Sequence, residues 1–251
     1  MHFLSQVGHW LADNASGTNG IWVRSLNQME LSVAVVVAAV VVGAGLGLFL
    51  GHSGRGGFVA VNSANAARAI PSLALLTLLA LQPAIALKGS GFLASFLALF
   101  ALAVPPILTN AYVGVRDVDP GVRSAARAMG MTGAQVLRRV EAPLALPLVM
   151  AGIRTAAVEV VATATLAAYV SFNDLGSIIF AGLNTQNHVQ TFAGGLLVAA
   201  LALVTDLVLA AAQRAVTPVG LRRSAQAKRS RGVGADATTV HRRTGTPAAA
   251  R

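Results

Sequence analysis

Glu159 is the side chain with the clearest capacity for chemistry, because it lies inside the long apolar run from Ala142 to Val170. A charged group in such a run is costly in lipid and normally faces water or a polar partner. Its carboxylate could attract a cation, and the rings of Tyr169 and Phe172 at the end of the run could add cation–π attraction. Two competing interpretations stay open. Glu159 could pair with Arg154 or with a polar residue of a neighbouring helix. The rings of Tyr169 and Phe172 could instead anchor the helix at a membrane interface.

Catalytic and cofactor-binding motifs are absent from the sequence. No Gly-x-x-x-x-Gly-Lys-Ser/Thr run exists to hold the phosphates of ATP, and neither His-Glu-x-x-His nor Gly-x-Ser-x-Gly occurs. The chain has no cysteine, and its five histidines are scattered through terminal segments and loops. We therefore predict a protein without catalytic activity, metal site or cofactor.

The composition is that of a bilayer protein. Hydrophobic residues make up 55% of the chain and charged residues only 11%, and the apolar residues are gathered into stretches longer than a soluble core requires. The formal net charge of +10 could indicate nucleic-acid binding, but the charges flank the apolar stretches, where a membrane explains them better. We expect membrane lipid, and no nucleic acid, among the partners.

Five apolar stretches are long enough to cross a bilayer, since a helix needs roughly 20 residues for a hydrocarbon layer of about 30 Å. The sequence therefore predicts an all-α, polytopic membrane bundle of five transmembrane helices. The fourth crossing is expected in the second part of its run, which Arg154 and Glu159 interrupt. The stretches are Leu31 to Leu50, Ala69 to Leu87, Phe92 to Val115, Ala142 to Val170 and Thr191 to Ala212.

The two ends of the chain differ from its centre. Residues 1–26 are typical of a short lead-in at the outer membrane surface, and residues 27–217 form the predicted membrane domain. Residues 218–251 are rich in Arg, Ser, Ala, Gly and Thr without periodicity. That composition predicts a basic, disordered cytoplasmic tail.

Two features of the predicted spans favour structural explanations. Gly43, Gly47 and Gly51 repeat at four-residue steps, which favours close helix packing over a hinge. Asp206 lies within about two turns of Arg214, which favours structural pairing or snorkelling over transport chemistry.

Basic residues set the predicted orientation. Five crossings place the termini on opposite sides, and Lys and Arg are retained in the cytoplasm. If the turn after the first crossing is cytoplasmic, only Arg24 and Lys88 fall on the other side. We therefore predict a cell-membrane protein with its amino terminus outside and its carboxyl terminus inside. The cytoplasmic set is Arg55, Arg116, Arg123, Arg127, Arg138, Arg139 and nine basic residues from Arg214 onward.

Residues 116–143 form an amphipathic, basic segment that is too polar for lipid. Asp119 and Pro120 are typical of a helix start, because aspartate accepts hydrogen bonds from free amides and proline suits the first helical position. The helix should end at Gly130. Because this segment follows the third crossing, we expect it on the cytoplasmic face.

A second short helix is predicted in the same segment. Thr132 and Gln135 form a capping-box pattern that begins a helix toward Val140. We expect Pro143 to stop it, since proline inside a helix removes a hydrogen bond. The segment therefore predicts a compact helix, turn, helix unit outside the lipid.

This unit resembles the EAA loop of binding-protein-dependent transport permeases, in which Glu-Ala-Ala and a glycine precede an aliphatic residue and a proline. In that family the loop is the coupling helix, which sits in a cleft of the cytoplasmic ATPase subunit, and the resemblance implies the same role here. The motif glutamate is Ser124 in this sequence, so any ion pair that it makes with the ATPase is missing or replaced. The implied coupling residues are Ser124, Ala125, Ala126, Arg127, Gly130, Val140 and Pro143.

Further stretches resemble the permease branch for glycine betaine, carnitine, choline and proline. The similarity covers roughly residues 27–220 and implies the permease subunit of an ATP-driven importer for quaternary-ammonium osmoprotectants. The stretches are residues 70–75, 126–133, 162–167 and 175–180.

The resemblance also implies partners. These are an ATPase subunit, an extracytoplasmic substrate-binding protein and a second permease, which is either a copy of this chain or a close relative. Two alternative functions stay open. One is a permease for another small solute such as an amino acid or a sulfonate, and the other is a non-transport membrane scaffold.

Overall fold

The structure is a computed structural model that describes residues 2–86 and 91–216. Over those residues the chain is helical and contains no strand, which confirms the all-α prediction. The predicted tail lies outside the described residues, as do Leu87 and Lys88. The helices are α1 (His2–Asp13), α2 (Ile21–Ala39), α3 (Gly45–Ser53), α4 (Gly57–Ala67), α5 (Ser72–Ala80), α6 (Pro83–Ala86), α7 (Phe92–Arg116), α8 (Pro120–Ala128), α9 (Gly133–Val136), α10 (Ala142–Thr163), α11 (Gly176–Asn184) and α12 (His188–Val216).

Four helices in the described residues are long and apolar enough to cross a membrane, and we name them spans A to D. Span A joins α2 to α3 through a π-helical turn, and span C joins α9 to α10 through another before it ends as a 3-10 helix. The chain is therefore a multi-pass membrane protein, as predicted. The spans are A (Ile21–Ser53), B (Phe92–Arg116), C (Gly133–Val170) and D (His188–Ala215).

The prediction of a continuous crossing from Ala69 to Leu87 is wrong over the described residues. The chain there forms α5 and α6, with non-helical residues before each. Pro71 and Pro83 explain the interruption, because proline lacks an amide hydrogen and disfavours helical backbone in the residue before it. The nine residues of α5 rise only about 14 Å, which is too short for a bilayer.

The broken segment, residues 57–86, nevertheless runs along the height of span B. Gly57, at its start, lies against the ring of Tyr112, four residues before span B ends. Ile85, near its end, packs against the cluster that contains Ala94 and Ala98, close to the start of span B. The broken segment therefore passes from one end of span B to the other in three short helices.

Span C starts earlier than the sequence predicts. We expected Pro143 to stop a short helix, but the helix is continuous for 38 residues from Gly133. Pro143 follows closely on the π-helical turn Leu137–Glu141, and such a turn inside a helix locally alters the backbone hydrogen bonds that a proline would otherwise break. At about 57 Å, span C is longer than the hydrocarbon layer, so part of it extends beyond the lipid.

Spans A, B and C pack into one hydrophobic core. Leu31 and Val35 of span A, Ile107 of span B and Val160 of span C are among its fully buried side chains. Partly buried aliphatic and aromatic side chains from the same three helices, together with Phe172 after span C, pack against this core. Span B therefore has neighbours on both sides over most of its length.

Three small residues bring span A close to span B. Gly43, Gly47 and Gly51 all face span B, and a Cβ at Gly47 would lie 2.6 Å from the carbonyl oxygen of Leu108 and 2.7 Å from the Cβ of Ala111. No side chain fits at that distance. The prediction that these glycines serve close packing is confirmed.

Gly47→Ala should lower the free energy of unfolding by roughly 1–3 kcal/mol, because the added methyl group overpacks the contact with span B. Gly45→Ala is the matched control, since a Cβ at Gly45 has no atom within 4 Å, and it should be neutral or slightly stabilising. Denaturant unfolding of both variants in detergent measures the difference. Equal effects at the two positions would contradict the close packing.

The loop after span C is held by the start of span A. Gln28 donates a hydrogen bond to the carbonyl of Val161 at 2.8 Å and accepts one from the amide of Leu175 at 3.2 Å. Arg24 donates to Ser177 Oγ at 2.6 Å. These bonds fix the beginning of α11 against span A.

Asp174 lies at the centre of this loop and is fully buried. Its Oδ1 accepts a hydrogen bond from the Ser177 amide at 3.1 Å, whereas its Oδ2 has no hydrogen-bond partner in the part of the chain that the structure describes. Burial disfavours the charged form and raises the pKa of the Asp174 carboxyl from 3.8 to about 7, although hydrogen bonds from backbone amides and the charge of Arg24 oppose the rise.

Asp174 should make stability depend on pH. The unfolded chain releases this proton near pH 3.8 and the folded chain near pH 7, so wild-type stability should fall as the pH rises between these values. Asp174→Asn cannot ionise and should become more stable than wild type across that window, with the largest gain above it. Thermal unfolding midpoints at a series of pH values test this, and Asp13→Asn, which removes an exposed carboxylate, is the control. A pH-independent difference would refute the prediction.

Candidate functional site

Helix α8 begins and ends as the sequence predicts. Asp119 caps it by accepting a hydrogen bond from the Gly121 amide at 2.6 Å, and Pro120 occupies the first turn. The helix ends before Gly130, which has a φ of +80°. Glycine adopts this left-handed conformation at no steric cost, and other residues rarely do. The sharp turn after α8 therefore requires Gly130.

The predicted capping box is also present. Thr132 Oγ1 accepts from the Gln135 amide, and the Gln135 side chain accepts from the Thr132 amide at 2.8 Å. The capping box marks the start of span C, whereas the sequence predicted that it would start a separate short helix. The turn between α8 and span C is therefore fixed at both of its ends.

The predicted coupling residues divide between two surfaces. Ser124, Ala125 and Arg127 of α8 are exposed. Ala126, one of the coupling residues that the resemblance implies, is 2% exposed and faces the bundle. It therefore packs beneath α8 and offers no surface to a partner, and the coupling role of this set stays a prediction. Val140 is half-buried within span C, and Pro143 is exposed near the start of α10.

A buried carboxylate holds α8 in place. Glu141 is 1% exposed, and its Oε2 lies 2.6 Å from Nδ1 of His52 in span A. Its Oε1 lies 3.1 Å from Nε of Arg123 in α8. The same guanidinium donates to the carbonyl of Val115 in span B. A buried charge needs such partners because its desolvation is costly.

Glu141 therefore joins spans A, B and C to α8, and sequence reasoning missed it. In the sequence, Glu141 falls inside the polar segment of residues 116–143, and His52 is one of the histidines outside any recognisable motif. The available signal was an acidic residue beside an arginine-rich segment that continues directly into apolar sequence. The location of the partner His52, 89 residues away, required the fold.

Glu159 pairs with Arg68, at the end of α4. Arg68 Nη2 donates to both carboxylate oxygens, at 2.6 and 2.8 Å. Of the two partners proposed for Glu159, Arg154 is therefore excluded, and the alternative of a polar residue from a neighbouring element is confirmed. Arg154 instead binds Asp206 of span D with two hydrogen bonds. Asp206 therefore has the structural role that the sequence favoured, but its partner is Arg154 and not Arg214, from which the pairing was inferred.

The two aromatic candidates lie apart from Glu159. Tyr169 is ten residues further along span C, a rise of at least about 15 Å, and its exposed ring is 5.3 Å from that of Phe180. Phe172 packs 6.0 Å from Phe92 against the core. Their assignment to a solute pathway stays a prediction. Among the described residues, no group of three His, Cys, Asp or Glu could hold a metal ion.

Comparisons with known proteins agree on one family. A model of the binding-protein-dependent transport system inner membrane component matches residues 39–218. The chain is 36% identical over 208 residues to the choline transport system permease protein OpuBB of Bacillus subtilis, which covers 82% of this chain and 94% of that relative. It is 31% identical over 214 residues to the osmoprotectant import permease protein OsmW of Salmonella typhimurium, which covers 85% and 98%.

A second Bacillus subtilis relative, the glycine betaine/carnitine/choline transport system permease protein OpuCB, is 36% identical over 207 residues, which covers 82% of this chain and 93% of that protein.

Solved structures share the fold at lower identity. The inward-facing MetNI methionine ABC transporter superposes with a TM-score of 0.69 at 22% identity, over 79% of this chain and 97% of that one. An amino acid ABC transporter with histidines gives a TM-score of 0.59 at 21% identity, over 86% and 97%. With the family match and these relatives, the chain belongs to the binding-protein-dependent transport system inner membrane components.

Proposed function

We propose that this chain is the permease subunit of an ATP-driven importer for quaternary-ammonium osmoprotectants such as glycine betaine, choline and carnitine. The observation that carries the proposal is the family match joined to the names of the relatives, which transport these solutes. The chain is a transport subunit and not an enzyme. Because it lacks a phosphate-binding loop, a separate ATPase subunit hydrolyses the nucleotide.

The broken segment supplies the fifth crossing in this proposal. It runs along the whole height of span B, so spans A to D and the broken segment together cross the bilayer five times. An odd number places the termini on opposite sides. The end of the bundle that carries Arg55, Arg116, Arg123 and Arg127 is then cytoplasmic.

The ATPase docks on α8. The helix stands outside the lipid and presents Ser124, Ala125 and Arg127, and the large side chain of Met129 directly after it is 72% exposed. A second permease completes the pathway, and an extracytoplasmic binding protein delivers the solute. Movement of the ATPase then changes the position of α8, which Glu141 connects to the spans.

Glu141→Gln should uncouple ATP hydrolysis from transport. The amide keeps the size of the side chain but loses the charge that attracts His52 and Arg123, so α8 moves without the spans. We expect the ratio of solute transported to ATP hydrolysed to fall about tenfold, which corresponds to 1.4 kcal/mol of lost coupling. Uptake and ATPase rates of the assembled transporter in liposomes, normalised to its amount, measure this ratio.

Asp117→Asn is the control for this prediction, because it removes an exposed carboxylate at the same end of the bundle and should leave the ratio unchanged. A Glu141→Gln transporter whose two rates decline in proportion would show that Glu141 serves folding alone.

The absence of cysteine makes the orientation directly testable. Met129→Cys places a thiol on exposed α8, and Thr18→Cys places one in the exposed turn before span A. In intact cells a membrane-impermeant maleimide should label the second variant and label the first only after permeabilisation. Labelling of the Met129 position from outside would exclude the ATPase contact and the importer with it.

A further inference from the structure

The ion pair between Arg68 and Glu159 lies near mid-height of the bundle. Gly152 of span C packs against Asn110 and the carbonyl of Pro106, in the middle of span B. Glu159 is two turns further along span C, a rise of about 10 Å. Both charges therefore lie deep in the proposed bilayer, where ionisable groups are costly.

The backbone breaks at the same height. Helix α4 ends at Ala67 and α5 begins at Ser72, and residues 68–71 between them are exposed on this chain. Hydrocarbon tolerates non-helical backbone only where protein covers it or where it lines a water-filled cavity. Discontinuous helices at this depth often form solute sites in transporters. The break therefore cannot face lipid.

Polar side chains extend the same open face. Asn62 and Asn65 of α4 and Arg68 directly after it follow each other at three-residue steps, and all are exposed. Thr155 is exposed on span C, one turn before Glu159. Thr155 donates to the carbonyl of Ala151, but lipid would leave the side-chain amides of Asn62 and Asn65 without hydrogen-bond partners. The face that they share is suited to an aqueous path.

The ion pair on this face is accessible. The side chains of Arg68 and Glu159 are 36% and 25% exposed, and a single guanidinium nitrogen supplies both hydrogen bonds. The pair lies between two separate elements, so displacement of α4 relative to span C opens it. An opened pair presents one positive and one negative group to the path.

We propose that Arg68 and Glu159 form a binding site for zwitterions that carry a quaternary ammonium and a carboxylate. The solute carboxylate binds Arg68 and its trimethylammonium group lies against Glu159, so the solute replaces the ion pair and neither charge stays unpaired at depth. Choline has no carboxylate and uses Glu159 alone. Arg68 therefore sets the preference for zwitterions over simple cations. This inference rests on the proposed function.

Binding to the assembled transporter in nanodiscs tests the site directly. Saturation-transfer NMR detects the trimethylammonium protons of glycine betaine and of choline even when binding is weak. Arg68→Gln should weaken glycine betaine binding about tenfold or more, through loss of a charge-assisted hydrogen bond, and leave choline binding within about twofold. Glu159→Gln should weaken both solutes.

Arg154→Gln is the matched control, because it opens another carboxylate–guanidinium pair of span C, with Asp206. It should leave the ratio of the two affinities unchanged. Equal losses for the two solutes in Arg68→Gln, or no binding to wild type, would overturn the inference. A charge exchange, Arg68→Glu with Glu159→Arg, that restores both affinities would also overturn it, by showing that only the ion pair is needed.

Uptake by cells that carry each variant separates this inference from the proposed function. Wild-type cells that take up none of glycine betaine, choline and carnitine would defeat the proposed function. Wild-type uptake together with an unchanged solute preference in Arg68→Gln would defeat the zwitterion site alone.

Discussion

Hydrocarbon supplies no hydrogen bonds, so each charge that this chain carries into the bilayer must be satisfied within the protein or in water. Arg154 meets Asp206, and Arg68 meets Glu159. The same requirement applies to the backbone. Residues 68–71 are not part of a helix, so their N–H and C=O groups need partners other than helical hydrogen bonds. Much of the arrangement around spans A to C follows from where these polar groups can be placed.

The strongest case of this requirement is Glu141, because it is buried at the end of the bundle where α8 meets the spans. Loss of one partner would leave the charge of Glu141 buried without compensation and would destabilise the folded protein by several kcal/mol. Separation of His52 or Arg123 from Glu141 is therefore costly. The three side chains come from span A, α8 and span C. Displacement of α8 is then resisted unless the ends of these spans follow. A set of apolar contacts would hold the same elements with less directional constraint, because dispersion has no preferred angle.

The sequence predicts most of the fold and the local geometry of the loop, because both depend on short-range patterns. Hydrophobic runs indicate the long helices, and Asp119, Gly130 and Thr132 specify the caps and turn around α8. The two failures have one physical origin, since proline permits more than one outcome. Pro71 interrupts a crossing, whereas Pro143 is accommodated by a π-helical turn. The charge partners were not predictable, because 91 residues separate Arg68 from Glu159 and no local pattern records that distance.

The bundle is divided into tightly and loosely packed parts. Glycines bring spans A and B into contact at distances that exclude any side chain, so these helices move as one body. In span D, by contrast, the apolar 18-residue stretch has no buried residue, and a largely apolar cavity of about 480 Å³ separates this span from spans A and C. The bond from Arg154 to Asp206 crosses that gap. Interfaces with few interlocking side chains shift at lower cost than close-packed ones. Span D is therefore the element that can move against this rigid core.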